Sequence, residues 1–279
     1  MKRLFFYFTA VLCLVSCRPW VMENRTECPS YLFFNIRNGD EFAYYEDVFV
    51  KAMDVYTREY VSGDTTTVEH IQGHSFYLPV RKQQTVAGYG VLGYKGSHCE
   101  GESKWVTNEG QNGAPLYRFD YQAYCDGEYT EASVELTKEH MNVTVRFLDF
   151  DSFVGAGGIF PFYIVIRGGT RGIDAMSGIP VRGSFLYQPE EETAGLFRFT
   201  VPRQGDHALF MDLYAKDGAY IEEGLIHTFD LWDLLRREDD FSWEMKNLPD
   251  VYIELNYRES GIRIQLTDWE DNYETVIES

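Results

Sequence analysis

The chain has 279 residues and a formal charge of −19, from 25 Lys+Arg against 44 Asp+Glu. A body this acidic argues against nucleic acid as a partner and against docking on anionic headgroups, because like charges repel at both surfaces. The length allows two ordinary domains or one large one.

Residues 1–16 read as a lipoprotein signal peptide. Lys2 and Arg3 form a positive start, and Leu4 to Leu14 an uncharged apolar core. That core is shorter than the roughly 20 apolar residues a membrane span needs, and it has signal-peptide proportions. Leu14-Val15-Ser16-Cys17 then resembles the bacterial lipobox, which makes Cys17 the expected acylation site and 17–27 a lipidated linker. Several acyl chains, each contributing about 0.8 kcal/mol per buried CH₂, would hold the protein firmly where one chain is marginal. Without Lys2 and Arg3 the mature charge is −19 − 2 = −21.

The remainder reads as strands. Inward and outward residues alternate or run apolar over Tyr31–Arg37, Val48–Tyr56, Phe76–Arg81 and the glycine-rich Thr85–Tyr94. The polar stretch from Cys125 to Glu131 is the best domain boundary, since a new alternating strand starts soon after it. In Met141–Phe147, Met141, Val143, Val145 and Phe147 face one way and Asn142, Thr144 and Arg146 the other. The apolar run Ile159–Ile166 suits a buried strand, and Phe197–Val201 and Leu209–Ala215 are further strands. Asp230 to Glu238 predicts two helical turns, with Asp230 as N-cap and Leu231, Leu234 and Leu235 on one face. Val251–Tyr257 and Ile262–Leu266, joined at Glu259-Ser260-Gly261, predict a hairpin with one buried face. The expected fold class is all-β: two tandem β-sandwiches, over 28–132 and 133–279, with one short helix in the second.

Cysteine usage fits an oxidising compartment. With Cys13 in the signal and Cys17 lipidated, Cys28, Cys99 and Cys125 are left. One disulfide and one free thiol is the simplest arrangement. Cys99 and Cys125, both in turn-like polar sequence, form the candidate pair as a staple across a long hairpin.

Motifs for chemistry are weak. His70 and His74 lie four apart, but Gly73 intervenes and the surroundings read as strand or turn, so two ligands on one helix face are not expected. Asp149-Phe-Asp151 reads as a strand-end turn, and Glu190-Glu191-Glu192 as a solvated loop. Gly168, Gly169 and Gly172 lack the Gly-Lys-Ser/Thr ending of a phosphate loop and read as a β-turn. No serine elbow, no cysteine–histidine arrangement and no zinc spacing occur, so no enzyme, metal or cofactor is expected. The aromatic content, 20 Tyr, 20 Phe and 5 Trp, mostly suits sandwich cores. Exposed aromatics, Trp105 among them, could also serve a surface adhesin that binds glycan or host protein, which is the competing functional reading.

Several segments together resemble the fimbrillin-A-associated anchor proteins, the lipoprotein base subunits of type V pili. They are Cys17 with Glu27-Cys28-Pro29, the Val80-to-Tyr94 region with Ala87-Gly88-Tyr89-Gly90, and the block Glu135 to Val145. Arg167 to Asp174, Gly178-Ile179-Pro180 and Gly183-Ser184-Phe185 follow, and the most specific block runs from Trp243 to Tyr257, with Asp268-Trp269-Glu270 after it. The resemblance implies transthyretin-like sandwiches and attachment to the outer membrane through Cys17, on the cell surface. It also implies a fimbrial shaft (pilin) subunit as partner and a role in limiting pilus length; the expected joint is β-strand complementation, because a sheet edge with unpaired backbone groups can accept or supply an extended segment. The tail Asn272 to Ser279 is a candidate donor strand, and the family has no catalytic residues to carry over.

Overall fold

The computed structural model describes residues 28–39, 47–148, 160–216, 224–256 and 261–267. The signal peptide, Cys17, the linker, Asp149 and Asp151, Asp268-Trp269-Glu270 and the tail Asn272 to Ser279 lie outside the described residues.

The first part of the chain forms β1 (Pro29–Ile36), β2 (Val48–Asp54), β3 (Tyr60–Thr66), a short helix α1 (Val68–Gln72), β4 (Leu78–Arg81) and β5 (Gln84–Leu92). A small hairpin, β6 (Ser97–Glu100) and β7 (Lys104–Thr107), precedes β8 (Tyr117–Cys125) and β9 (Tyr129–Val134). The chain then crosses over through β10 (Thr137–Lys138) into β11 (His140–Phe147). The second part continues with β12 (Phe162–Asp174), β13 (Pro180–Tyr187), β14 (Glu191–Thr193), β15 (Leu196–Pro202), β16 (Leu209–Ala215) and β17 (Gly224–Asp230). Helix α2 (Leu231–Leu235) and the hairpin β18 (Asp250–Asn256) and β19 (Gly261–Thr267) complete it. The fold is all-β, as expected, with a second short helix, α1, that the sequence reading missed.

Two sheets enclose the first core: three strands in the order β4-β1-β9, and five in the order β10-β8-β5-β2-β3. Leu32, Phe34, Ile36, Val48, Val50 and Phe119 are among the side chains packed between them. The second core lies between the five-stranded sheet β14-β15-β11-β18-β19 and the sheet β17-β16-β12-β7-β6, to which β13 adds by pairing with β12. Met141, Val143, Val145 and Phe147 face inward from β11, and Leu231 and Leu235 of α2 close the same core. Asp230 caps α2 by accepting from Asp233 N at 2.9 Å, as its position predicted. The last hairpin is antiparallel, pairing Asp250 with Thr267 through Asn256 with Gly261.

The two halves share structure. The β6–β7 hairpin belongs to the first half by sequence, yet β7 pairs with the end of β12, Trp105 opposite Ile173. Its underside covers the outer face of the first sandwich, where Tyr89, Val91, Trp105, Leu116, Ile173 and Ala175 make a third core. Gly88 through Leu92 in β5 are therefore buried on both faces. The polar stretch 125–131 runs from the last residue of β8 through a turn into β9, and β9 pairs in parallel with β1 from Tyr31–Tyr129 to Ile36–Val134. A division at 132/133 cuts this strand; the first core runs to Leu136 and the second begins at Met141.

The glycine-rich segment 168–172 is not the turn the sequence suggested. It lies inside β12, with register shifts against β13 between Gly168 and Thr170 and between Thr170 and Gly172. Glycine is required by close approach: a Cβ on Gly172 would sit 2.0 Å from the Trp105 carbonyl oxygen where β7 crosses. Glu190-Glu191-Glu192 also differs from the expected loop, because Glu191 starts the edge strand β14 and pairs with Lys216 at 2.9 Å.

Candidate functional site: the junction and the open edges

The crossover carries three consecutive polar side chains that are all buried: Lys138, Glu139 and His140 are 2%, 4% and 1% exposed. Buried charge is tolerable only when paired and hydrogen-bonded, and each has partners. Glu139 accepts from Arg203 Nε at 2.6 Å, Arg118 Nε at 2.9 Å and the Thr137 hydroxyl at 3.1 Å. Lys138 Nζ donates to Asp250 Oδ1 at 2.5 Å, and Asp250 also accepts from Asn142 N and Nδ2. His140 Nδ1 lies 3.0 Å from the Leu116 carbonyl oxygen, to which it donates, and its ring meets Tyr117 edge-on. Burial first, and the nearby Lys138 charge second, push the His140 pKa down to about 3, so the imidazole is neutral at physiological pH.

Arg203 is the hub. Besides Glu139 it donates to the carbonyls of Trp243, Met245, Lys138 and Lys246 at 2.6–3.1 Å. It thereby ties the crossover to the segment between α2 and β18. The junction has the character of a lock: three donors hold the carboxylate of Glu139 in place. Beside it opens a cleft of about 620 Å³, floored by the stacked indoles of Trp232 and Trp243, 4.9 Å apart and 7° from parallel. His207 sits against Trp232 at 4.4 Å. Both indole N–H groups are buried without a protein acceptor.

The surfaces suited to a partner strand are the sheet edges, which present unpaired N–H and C=O groups. Among the described residues, β17 is an edge of the second sandwich, paired only with β16 and with a register shift at Leu213/Tyr214. Leu225 on it is 56% exposed, while Ile226 and Phe229 pack against the second core. The other sandwich ends at β3, which carries the exposed Tyr60, and the sheet containing β11 ends at β19.

The sequence-derived site residues divide accordingly. His70 lies in α1, with the helix that the sequence reading denied it, and the Thr67 hydroxyl caps it by accepting from His70 N. His74 falls beyond the C-cap at φ 52°, outside the helix. The expected Cys99–Cys125 staple is not formed, and Cys28, Cys99 and Cys125 are free thiols. Cys99 is exposed on the hairpin that leaves for the second sandwich, while Cys125 is buried in the first core opposite Gln84, at the far end of β5. Trp105 is not a surface platform: it is 7% exposed and packs against Phe49 and Tyr94 at 5.6 and 4.9 Å. Arg203 was missed, since a lone arginine after a strand carries no signal for a partner 64 positions away.

No protein-family model matches the sequence, and no curated protein matches it. Solved structures do. A protein of Bacteroides thetaiotaomicron provisionally named as polysaccharide-binding is 12% identical, with a TM-score of 0.61 over 87% of this chain and 97% of its own. The fimbrial anchor protein Mfa2 from Porphyromonas gingivalis is 12% identical, with a TM-score of 0.59 over 87% of this chain and 98% of its own. A provisionally named adhesin of Bacteroides thetaiotaomicron is 14% identical, with a TM-score of 0.58 over 86% and 96%. This chain therefore has the fold shared by a fimbrial anchor and by proteins named as adhesins, and it has that fold over nearly their whole length.

Proposed function

We propose that this chain is a member of the fimbrial anchor family and serves as the lipid-anchored base subunit of a pilus. The observation that carries the reading is the likeness to the fimbrial anchor over 98% of that protein's chain, taken with a lipobox ending at Cys17. Acylation of Cys17 would hold the chain on the outer membrane, exposed at the cell surface. A shaft subunit would join through strand complementation, adding an extended segment to an open edge so that backbone hydrogen bonds supply affinity and alternate side chains supply register. The β17 edge suits this role because its outward Leu225 offers an apolar contact beside unpaired backbone. The buried junction suits a base subunit that must pass tension from one sandwich to the other.

Deleting the gene tests the reading: pili should then be longer or shed from the cell. Pili of normal length that remain attached would refute it. The competing reading, a stand-alone adhesin, draws on the provisionally named neighbours and on the exposed aromatic rings of the first sandwich.

A further inference from the structure

In a β-sandwich the outer face of each sheet is wet and should be polar. The β4-β1-β9 sheet breaks that rule. Its inward residues Leu32, Phe34, Leu78 and Val134 fill the first core, yet Tyr31, Phe33, Tyr77 and Tyr129 form a contiguous array on the opposite face. Tyr77 meets Tyr31 edge-on at 4.9 Å, Tyr129 stacks on Tyr31 at 5.9 Å, and Phe33 lies 5.6 and 6.0 Å from Tyr77 and Tyr129. Tyr129 is 64% and Tyr77 47% exposed. The parallel register places Tyr31 beside Tyr129, Phe33 beside Glu131 and Asn35 beside Ser133. The aromatic half of the face therefore grades into a polar half, where Asn35 Nδ2 donates to Glu131 Oε1 at 3.3 Å and Arg37 Nε donates to Ser133 Oγ at 2.9 Å. Between them lies a shallow hollow of about 390 Å³ lined by Phe33, His74, Tyr129, Thr130 and Glu131.

We propose that this face binds a neutral glycan chain. A pyranose ring presents an apolar C–H face and a belt of hydroxyls, so it needs flat aromatic surface flanked by hydrogen-bonding groups in reach of its edge. Three of the four rings are tyrosines with a phenol at the tip, the Glu131 carboxylate and the His74 imidazole line the hollow, and the Asn35 amide lies beside Glu131, a match to that belt. A protein anchor would call for a deep apolar pocket, and the hollow is shallow and polar at its rim. Charge favours neutral over acidic glycans: the Glu131 carboxylate lines the hollow, and the whole chain carries −19. The inference does not rest on pilus attachment, since the face lies on the first sandwich and β17 on the second.

The test is a printed array of neutral and acidic glycans probed with the detergent-solubilised full chain, followed by titration of the best neutral oligosaccharide. Binding should be to neutral glycans and should weaken about tenfold in Tyr129→Ala and in Tyr77→Ala, the loss of one stacking contact. Tyr56→Ala, which removes a tyrosine that is 82% exposed in the turn after β2, should leave it unchanged. Both array variants remove exposed side chains, and an unchanged melting temperature confirms that they fold. Retention of no neutral glycan, retention of acidic glycans alone, or unchanged affinity in the Tyr77→Ala/Tyr129→Ala double variant overturns the proposal. Self-association that Tyr129→Ala dissolves would assign the face to a second copy of the chain instead.

Discussion

Replacing Arg203 with methionine should cost the fold about 3 kcal/mol. The guanidinium makes five hydrogen bonds, one to Glu139 and four to backbone carbonyls on two separate segments. Removing one partner of a buried ion pair costs about 3–5 kcal/mol, because the other charge stays buried. Glu139 would keep Arg118 and Thr137, and the cleft lets water reach some of the freed carbonyls near Met245, so the low end applies. For a chain of this size about 3 kcal/mol corresponds to a fall of about 6–12 °C in the melting temperature. Arg203→Lys should fall between wild type and Arg203→Met, since an ammonium keeps the charge but cannot fork to both segments. Calorimetry and urea unfolding of the three proteins read this directly. A loss below about 1 kcal/mol for Arg203→Met would refute the view that the junction is a lock.

The neutral, buried His140 makes stability depend on pH. Its folded pKa, about 3, lies below the value near 6.5 of an unfolded histidine, so the unfolded chain binds the extra proton between them. Its contribution is fully present above about pH 6.5 and lost as pH falls toward 3; the urea midpoint should drop over that window, and less steeply in His140→Gln. Gly88→Ala would place a Cβ 1.9 Å from the Lys51 carbonyl oxygen and 2.5 Å from the Tyr121 hydroxyl; overpacking of this kind costs about 1–3 kcal/mol, measurable by urea unfolding. A thiol reagent should label Cys99 in the native protein, slowly at neutral pH because burial raises its pKa, and reach Cys125 only after unfolding; a native protein with no labelled Cys99 would contradict this. Cys17→Ser should release pili into the medium together with the protein, scored by microscopy of cells and culture supernatant.

Strand alternation made much of the fold legible. In β11 and β18 one face fills a core and the other meets water, so Val143 and Ile253 announce their direction while Asn142 and Glu254 announce the opposite one. The β6–β7 hairpin was illegible because its strands are four residues long and its partner, β12, lies more than sixty positions onward. The same hairpin explains the misreading of Gly172, whose small size serves a crossing strand that local sequence does not reveal. Trp105 is hidden for the related reason that polar neighbours in sequence say little about a layer packed from elsewhere. The junction was visible only as blocks of resemblance: Glu135 to Val145 and Trp243 to Tyr257. Lys138 and Asp250, 112 positions apart, join those blocks through one ion pair. The exposed rings of the β4-β1-β9 sheet were hidden in plain view, since Tyr31-Leu32-Phe33-Phe34 is apolar on both faces of a strand whose outer side meets solvent.

Pilus attachment is tested most directly by what the full chain carries when extracted from its own cells in mild detergent. The account predicts a ladder of pilin polymer held by the wild-type chain and diminished by Leu225→Lys, which sets a charge on the β17 edge. A wild-type chain that comes out free of pilin, from cells whose pili remain attached, would contradict it.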